Sequence, residues 1–269
     1  MDVLNPIDRE TLRQQVRTAQ PYPHFKIDNF FKHDFALEVA EAFPRLEHAQ
    51  KIGVGYRGVN ERGKIQISDS SVFPDPIRKV HEILASPEFV DLMSYMMDIP
   101  NLLADPQLRG GGIHMTGPRG HLDVHVDFNY LKYRDWHRRL NILVFFNQDW
   151  REESGGNLEL WDRNVRTCSH SFSPVLNRCL VFATSDISYH GVTAVRCPLG
   201  QVRKSFAAYY YTREAPAGWD GKSHSTIFKA RPNERMKGRV LMPVEKAGSY
   251  VKRGVKGLVK AIIGKRMHG

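Results

Sequence analysis

His125-Val126-Asp127 sets an imidazole and a carboxylate two residues apart, and His190 offers a second imidazole further along the chain. Two imidazoles and one carboxylate can hold one face of a ferrous ion and leave the opposite positions open to exchangeable ligands. An enzyme with an open iron site is therefore the leading expectation. A lone His-x-Asp carries little weight in a chain with twelve histidines, and His121-Leu122-Asp123 is a second match just upstream. Strand side chains repeat every two residues, so positions 121, 123, 125 and 127 are expected to share one face. Only one pair can be the ligands. The second is preferred because Asp127 runs into Phe128-Asn129, which reads as a strand exit at a barrel mouth. His121 and Asp123 are then expected to be solvated, or to support the ligands through hydrogen bonds.

His190 is selected as the third ligand by its neighbourhood. Residues 177–183 (NRCLVFA) read as a buried strand, Ser185-Asp186 as a turn, and residues 187–192 (ISYHGV) as a second short strand. The alternating run from Arg203 to Thr212 follows as a third. Arg203 and Ser205 lie on one face of it. A guanidinium fork pairs bidentately with a carboxylate, which suits a dicarboxylate co-substrate such as 2-oxoglutarate. Lys204 points the other way and is expected to be a solvated charge.

With these residues in place, the chain resembles the prolyl 4-hydroxylase-like branch of the iron(II)/2-oxoglutarate-dependent dioxygenases. The resemblance covers roughly residues 20–213. It rests on HVDFN at 125–129, LNILVFFNQDW at 140–150, SGGNLELW at 154–161, and SYHGV at 188–192 followed by RKSFAAYYYT at 203–212, in that order. It implies a mainly β chain with an N-terminal α layer, the β part being a double-stranded β-helix of the jelly-roll, cupin-like type. It further implies Fe(II) held by His125, Asp127 and His190, and 2-oxoglutarate held by Arg203 with Ser205. The reaction implied is hydroxylation of an unactivated carbon with release of succinate and CO2, with ascorbate as an accessory reductant.

Three departures bear on that carry-over. Many relatives that hydroxylate proline hold the co-substrate with a lysine, where this chain has Arg203, so a proline substrate does not follow. Many place a tyrosine on the first long strand, where this chain has Phe145; Asn141, or one of Tyr209, Tyr210 and Tyr211, is then the expected donor to 2-oxoglutarate. The stretch from His190 to Arg203 is longer than is common, with Cys197-Pro198-Leu199-Gly200 reading as an inserted turn. Related halogenases have a small residue in place of the aspartate, so Asp127 favours hydroxylation over halogenation.

The elements that must position these groups are partly readable. Residues 8–19 carry a polar helical pattern, and 21–27 alternate like a first strand. Helices are expected at about 34–43, 75–85 and 87–97, the last with Leu92, Met93, Tyr95 and Met96 at core-packing spacing. From Gly110 the pattern changes to short apolar runs separated by Gly, Pro and Asp. The expected organisation is a single oxygenase domain over residues 1–213, with a helical layer over 1–109 and a jelly-roll core over 110–213. An extension over 214–245 and a basic tail over 246–269 follow. Residues 51–71 and 132–139 read as loops at the barrel mouth, either solvated or serving as substrate lids.

The chain has 269 residues, 41% hydrophobic and 25% charged, which is ordinary globular composition with room for one sizeable core. No apolar run approaches the roughly twenty residues of a transmembrane helix. The N-terminus lacks a basic segment followed by an apolar one. Cys168, Cys179 and Cys197 are odd in number and lack CxxC spacing, which argues against a disulfide framework and fits a reducing, cytoplasmic setting.

The net charge is +10, and residues 246–269 hold seven Lys or Arg and no acid. The basicity thus belongs mainly to the tail, and nucleic acid is not an expected partner. Val251, Val255, Leu258, Val259, Ile262 and Ile263 fall on one helical face among those cations. Such a helix lies in an anionic membrane interface or docks on its own core or a partner subunit. The first alternative would make the protein peripheral to the inner membrane surface and suit a lipid-linked or glycan substrate. Small molecules and peptidyl side chains are the other expected substrates. The competing function is a non-catalytic jelly-roll protein that binds metal or ligand without turnover.

Overall fold

The computed structural model describes residues 2–234 and 236–243; the basic tail lies outside them. Five helices are described: α1 (Arg9–Thr18), α2 (His33–Ala42), α3 (Leu46–Ile52), α4 (Asp75–Ala85) and α5 (Pro87–Met97). The strands of the N-terminal part are β1 (His24–Ile27), β2 (Val54–Arg57), β3 (Glu61–Ile67) and β4 (Leu103–Ala104). Those of the C-terminal part are β5 (Gly112–Val126), β6 (Tyr130–Leu131), β7 (Trp136–Phe145), β8 (Leu158–Trp161), β9 (Cys168–Phe172), β10 (Arg178–Ala183), β11 (His190–Val192), β12 (Arg203–Thr212) and β13 (Ile227–Phe228).

The strands join antiparallel in the order β1-β10-β7-β12-β5-β11-β8-β9, with β2 and β3 added beside β5. β5 makes the curl. Its first part pairs with β12 and β3, and after Gly117-Pro118-Arg119-Gly120 its second part pairs with β11. The sheet thereby folds over itself as the expected jelly roll.

Strict alternation along the strands gives the larger sheet two apolar faces. Ile113, Met115, Ile142, Val144, Val181, Phe206, Ala208 and Tyr210 point to the helices and share one core with Val39, Ile77, Val80, Phe89 and Met93. Phe145, Leu180 and Phe182 point the other way and meet Leu158, Leu160 and Val192 of the smaller sheet. The site lies on this second side.

Local chemistry explains the helix ends. The Asp8 carboxylate accepts from Thr11 N at 3.1 Å, Ser86 Oγ accepts from Phe89 N at 3.3 Å, and Pro87 occupies the first turn of α5. Asp98, in left-handed conformation at the end of α5, pairs with Arg13 and Arg17 and so ties α1 to α5.

The expected helices at 34–43, 75–85 and 87–97 correspond to α2, α4 and α5, and the first expected strand to β1. Four expectations need correction. Residues 51–71 are chiefly a hairpin, β2 and β3, whose inner strand is a full member of the sheet. Residues 132–139 enter β7 at Trp136, and Arg138 is buried. The short strand expected over 187–192 is regular only at His190–Val192. Lys204 points away from Arg203 as alternation requires, but toward α2, where its Nζ donates to Ala40 O at 2.8 Å. A cation at a helix C-terminus is favoured there, so this lysine is a cap rather than a solvated charge.

Asn177 joins the N-terminal segment to the barrel. Buried with φ +62°, it accepts from Phe31 N at 2.8 Å and donates to Phe31 O at 2.6 Å. Asn177→Ala removes both bonds and places a less tolerant residue in the left-handed region. It is expected to lower the unfolding free energy by about 2–4 kcal/mol in urea denaturation.

Candidate metal and co-substrate site

His125 and Asp127 stand at the end of β5, and His190 opens β11 directly opposite His125. Each histidine Nδ1 lies beside a carbonyl that can only accept: Asp123 O at 2.8 Å from His125 and Ser188 O at 2.9 Å from His190. Both rings therefore hold a proton on Nδ1 and turn Nε2 toward Asp127. Each Nε2 lies 3.5 Å from an Asp127 carboxylate oxygen. One donor atom from each residue falls within 4.8 Å of the others, a spacing that fits a single ion.

The carboxylate is stabilised from behind. Arg138 Nη2 lies 3.0 Å from Asp127 Oδ2, and Asn141 Nδ2 donates to the same oxygen at 2.8 Å. Arg138 also donates to Asn141 Oδ1, and its guanidinium lies 3.7 Å from the Tyr209 ring centre and 4.6 Å from that of Phe128. Burial would raise the Asp127 carboxyl, but Arg138, with His190 and His125, holds it well below the usual carboxylate range. Burial, then the neighbouring His125, pushes His190 down to about 3, so its ring is neutral at neutral pH.

Arg203 lies in the same cavity, whose volume is about 330 Å3. Its Nε donates to Gly156 O at 2.7 Å and its Nη1 to Ser205 Oγ at 3.3 Å. Its Nη2 is buried with no partner among the described residues. Burial lowers this guanidinium to about 10, which leaves it charged at neutral pH. A buried cationic donor without an acceptor is costly. It is satisfied when an anion enters, so the arginine fits a carboxylate ligand. Phe145, where relatives carry a tyrosine, lies with its ring centre 5.0 Å from that guanidinium. Gly156, at φ +69°, admits the arginine stem, since a Cβ there would stand 2.9 Å from Arg203 Cδ.

The six expected site residues thus line or border one cavity. Asn141 lies between Asp127 and Arg138 rather than beside Arg203. Of the candidate tyrosines, Tyr210 donates to Leu84 O in the helical layer, whereas Tyr209 lines the cavity and donates to Gly110 O. The expected shared face for 121, 123, 125 and 127 fails at Asp123, whereas His121 stays in the cavity lining. Against β11, His190 pairs with His125 but Val192 pairs with Leu122, an irregularity that reverses the alternation between the two motifs. The Asp123 side chain turns outward to Lys237 while its carbonyl supports His125.

Arg138 went unassigned in the sequence because β7 is also irregular. Tyr210 pairs with Leu140 but Tyr211 pairs with Arg138, so Arg139 is skipped and Arg138 joins Asn141 on the inner face. His114 and Thr116, also in the lining, lie opposite Ser205 and Arg203, a placement set by the pairing of β5 with β12 rather than by alternation from His125. A wider outer chamber of about 1070 Å3 shares Tyr56, Gln66, Gly110, Phe128 and Thr226 with the inner cavity.

Residues 111–211 match the model of the 2OG-Fe(II) oxygenase superfamily. They are a 2OG-Fe(II) oxygenase domain. The chain accordingly carries a 2-oxoglutarate-dependent dioxygenase domain, of the class that uses Fe(II) and 2-oxoglutarate. Solved structures with a similar fold include a prolyl hydroxylase from Trichoplax adhaerens in complex with a hypoxia-inducible factor peptide fragment. That match has 16% identity and TM-score 0.56, covering 76% of this chain and 88% of that one. A prolyl-4-hydroxylase from Pseudomonas putida matches at 16% identity and TM-score 0.52, covering 75% and 99%. The epimerase SnoN, in complex with Fe3+, alpha-ketoglutarate and nogalamycin RO, matches at 12% and 0.51, covering 85% and 96%. At such identities the likeness is one of fold. No curated protein sequence matches the oxygenase. Among its described residues no helix is long and apolar enough to cross a membrane.

Arg138→Met would leave the buried Asp127 carboxylate without its cation. The metal-free protein is expected to lose about 3–5 kcal/mol of stability. A divalent ion restores the missing charge, so the Tm increase on adding Co(II) should be larger in the variant than in the wild type. Equal increases would remove Arg138 from this role.

Proposed function

We propose that His125, Asp127 and His190 hold Fe(II), and that Arg203 with Ser205 holds the distal carboxylate of 2-oxoglutarate. Asn141 orients Asp127. The observation that carries this reading is the pairing, in one cavity, of three convergent metal donors with a buried guanidinium nitrogen that has no acceptor. Bound iron and 2-oxoglutarate would supply the oxidising power, and the chain supplies orientation and a dry cavity. The reaction is hydroxylation of an unactivated carbon, with release of succinate and CO2. Residues 1–213 form the catalytic unit, and 214–245 an extension of it.

The outer chamber supports a prime substrate larger than a single amino acid: a small molecule of some size, a glycan or lipid precursor, or a peptidyl side chain. Solved relatives of this fold bind a peptide fragment in one case and nogalamycin RO in another.

The test is anaerobic titration of the metal-free protein with Fe(II) and then 2-oxoglutarate, following the weak visible charge-transfer band of the chelate. The band is expected in the wild type, absent in Asp127→Ala, and shifted to higher 2-oxoglutarate concentration in Arg203→Ala. Turnover should vanish in His125→Ala, Asp127→Ala and His190→Ala and persist in His121→Ala. Folded, metal-loaded protein without the band would leave the non-catalytic binding protein.

Residues 246–269 act in this reading as a basic interfacial segment that brings the oxygenase to an anionic, cytoplasmic membrane surface and a lipid-linked or glycan substrate. The support is their sequence pattern of seven cations around an apolar face. Full-length protein should co-sediment with phosphatidylserine-containing vesicles at low salt, and a 1–245 form should not. Equal sedimentation of the two forms rules the membrane role out.

A further inference from the structure

The strand that carries His125 has a neighbour contributed by the C-terminal extension. β13 pairs with β5, Ile227 opposite Val126 and Phe228 opposite His125, and Lys229 N donates to Val124 O at 2.8 Å. The Phe228 and His125 ring centres are 5.4 Å apart, and Thr226 and Phe228 line the inner cavity. This segment lies beyond the residues that match the family model.

Both ends of the segment are fastened. At the near end His224 N donates to Asn129 Oδ1 at 2.9 Å, Asn129 Nδ2 donates to Lys222 O at 3.1 Å, and His224 Nε2 lies 2.9 Å from Asp186 Oδ1. At the far end Lys237 Nζ donates to Asp123 Oδ1 at 2.6 Å, and Arg231 Nη1 lies 3.6 Å from the same oxygen. Arg231 Nη2 lies 2.7 Å from Glu159 Oε2, and Glu234 borders both cations. The Asp123 side chain is fully buried. A buried carboxylate is tolerated only when paired, and both of its cations come from this one segment. Gly191, next to His190, leaves room for the crossing, since a Cβ there would stand 3.1 Å from Arg231 Nη2.

We propose that residues 222–234, fastened further by Lys237, are a strap forming the outer wall of the site, with Phe228 as the positioning residue for His125 and His121-Leu122-Asp123 as the strap's anchor. Its consequence for metal and co-substrate binding rests on the function proposed above; the strap itself does not. With the strap closed, His125 and His190 are shielded from solvent. With the anchor broken, both rings become accessible while the barrel stays intact.

The test is carbethoxylation of the metal-free, full-length protein by diethyl pyrocarbonate, read residue by residue by mass spectrometry, with exposed His33 as internal reference. Lys237→Met is expected to raise the rates at His125 and His190 roughly fivefold or more. Amide exchange should also quicken in residues 222–234 and not in β7 or β10. Phe228→Ala leaves the charge cluster intact and should raise the rate at His125 more than at His190. Unchanged rates at His125 in the folded variants, or exchange that quickens equally in β7 and β10, would overturn the strap. Should Lys237→Met not fold, Phe228→Ala decides alone. The Fe(II)/2-oxoglutarate band of the wild type tests the site separately, so a working strap without the band would reject the site and retain the strap.

Discussion

The Asp127 carboxylate, buried beside the imidazoles of His125 and His190, is the group around which the rest of the site is arranged. Such an ion costs several kcal/mol unless a cation and hydrogen bonds replace its water. The fold supplies Arg138, which is itself held by Asn141 and by the faces of Tyr209 and Phe128. Four elements must therefore be in register before the carboxylate is stable: the end of β5, the start of β7, β12, and the segment after Val126. With the imidazole protons pinned by the Asp123 and Ser188 carbonyls, these contacts leave the two Nε2 atoms and the carboxylate converging on one point.

That registration depends on a sheet with two apolar faces. The helices cover one face, and the other lines the cavity. Lys204 and Ser205 show the division at neighbouring positions: one caps α2 and the other meets Arg203 beside the site. Where alternation alone would misplace a side chain, an irregularity in pairing re-aims it. The one in β5 turns Asp123 away from the cavity, and the one in β7 turns Arg138 inward.

The same irregularity gives the upstream motif a structural use. Turned outward, Asp123 is a buried anion that the barrel alone does not neutralise, and the C-terminal segment brings Lys237 and Arg231 to it. Closing that ion cluster lays β13 along the strand of His125. Two chemically similar motifs four residues apart thus serve one strand differently, one converging its donors in the cavity and one fastening the cover.

Residue type and local spacing determined much of this protein. The period-2 run from Arg203 to Thr212 placed Arg203 and Ser205 together on one face, the helical patterns located α2, α4 and α5, and the HVDFN and SYHGV blocks marked the three side chains proposed as metal donors. These are properties of a few adjacent residues, set by backbone period and side-chain chemistry. The hairpin of β2 and β3 was hidden because its residues are polar and Gly-rich, and β3 forms by pairing with β5, and β2 with β3, rather than by propensity. Arg138 was hidden because a skipped residue in a distant pairing decides its face, and Phe228 because nothing in its own sequence indicates where the chain returns. Only the tertiary structure decided which His-x-Asp faces the cavity, which cation neutralises Asp127 and what covers His125, because each of these depends on register between strands far apart in sequence.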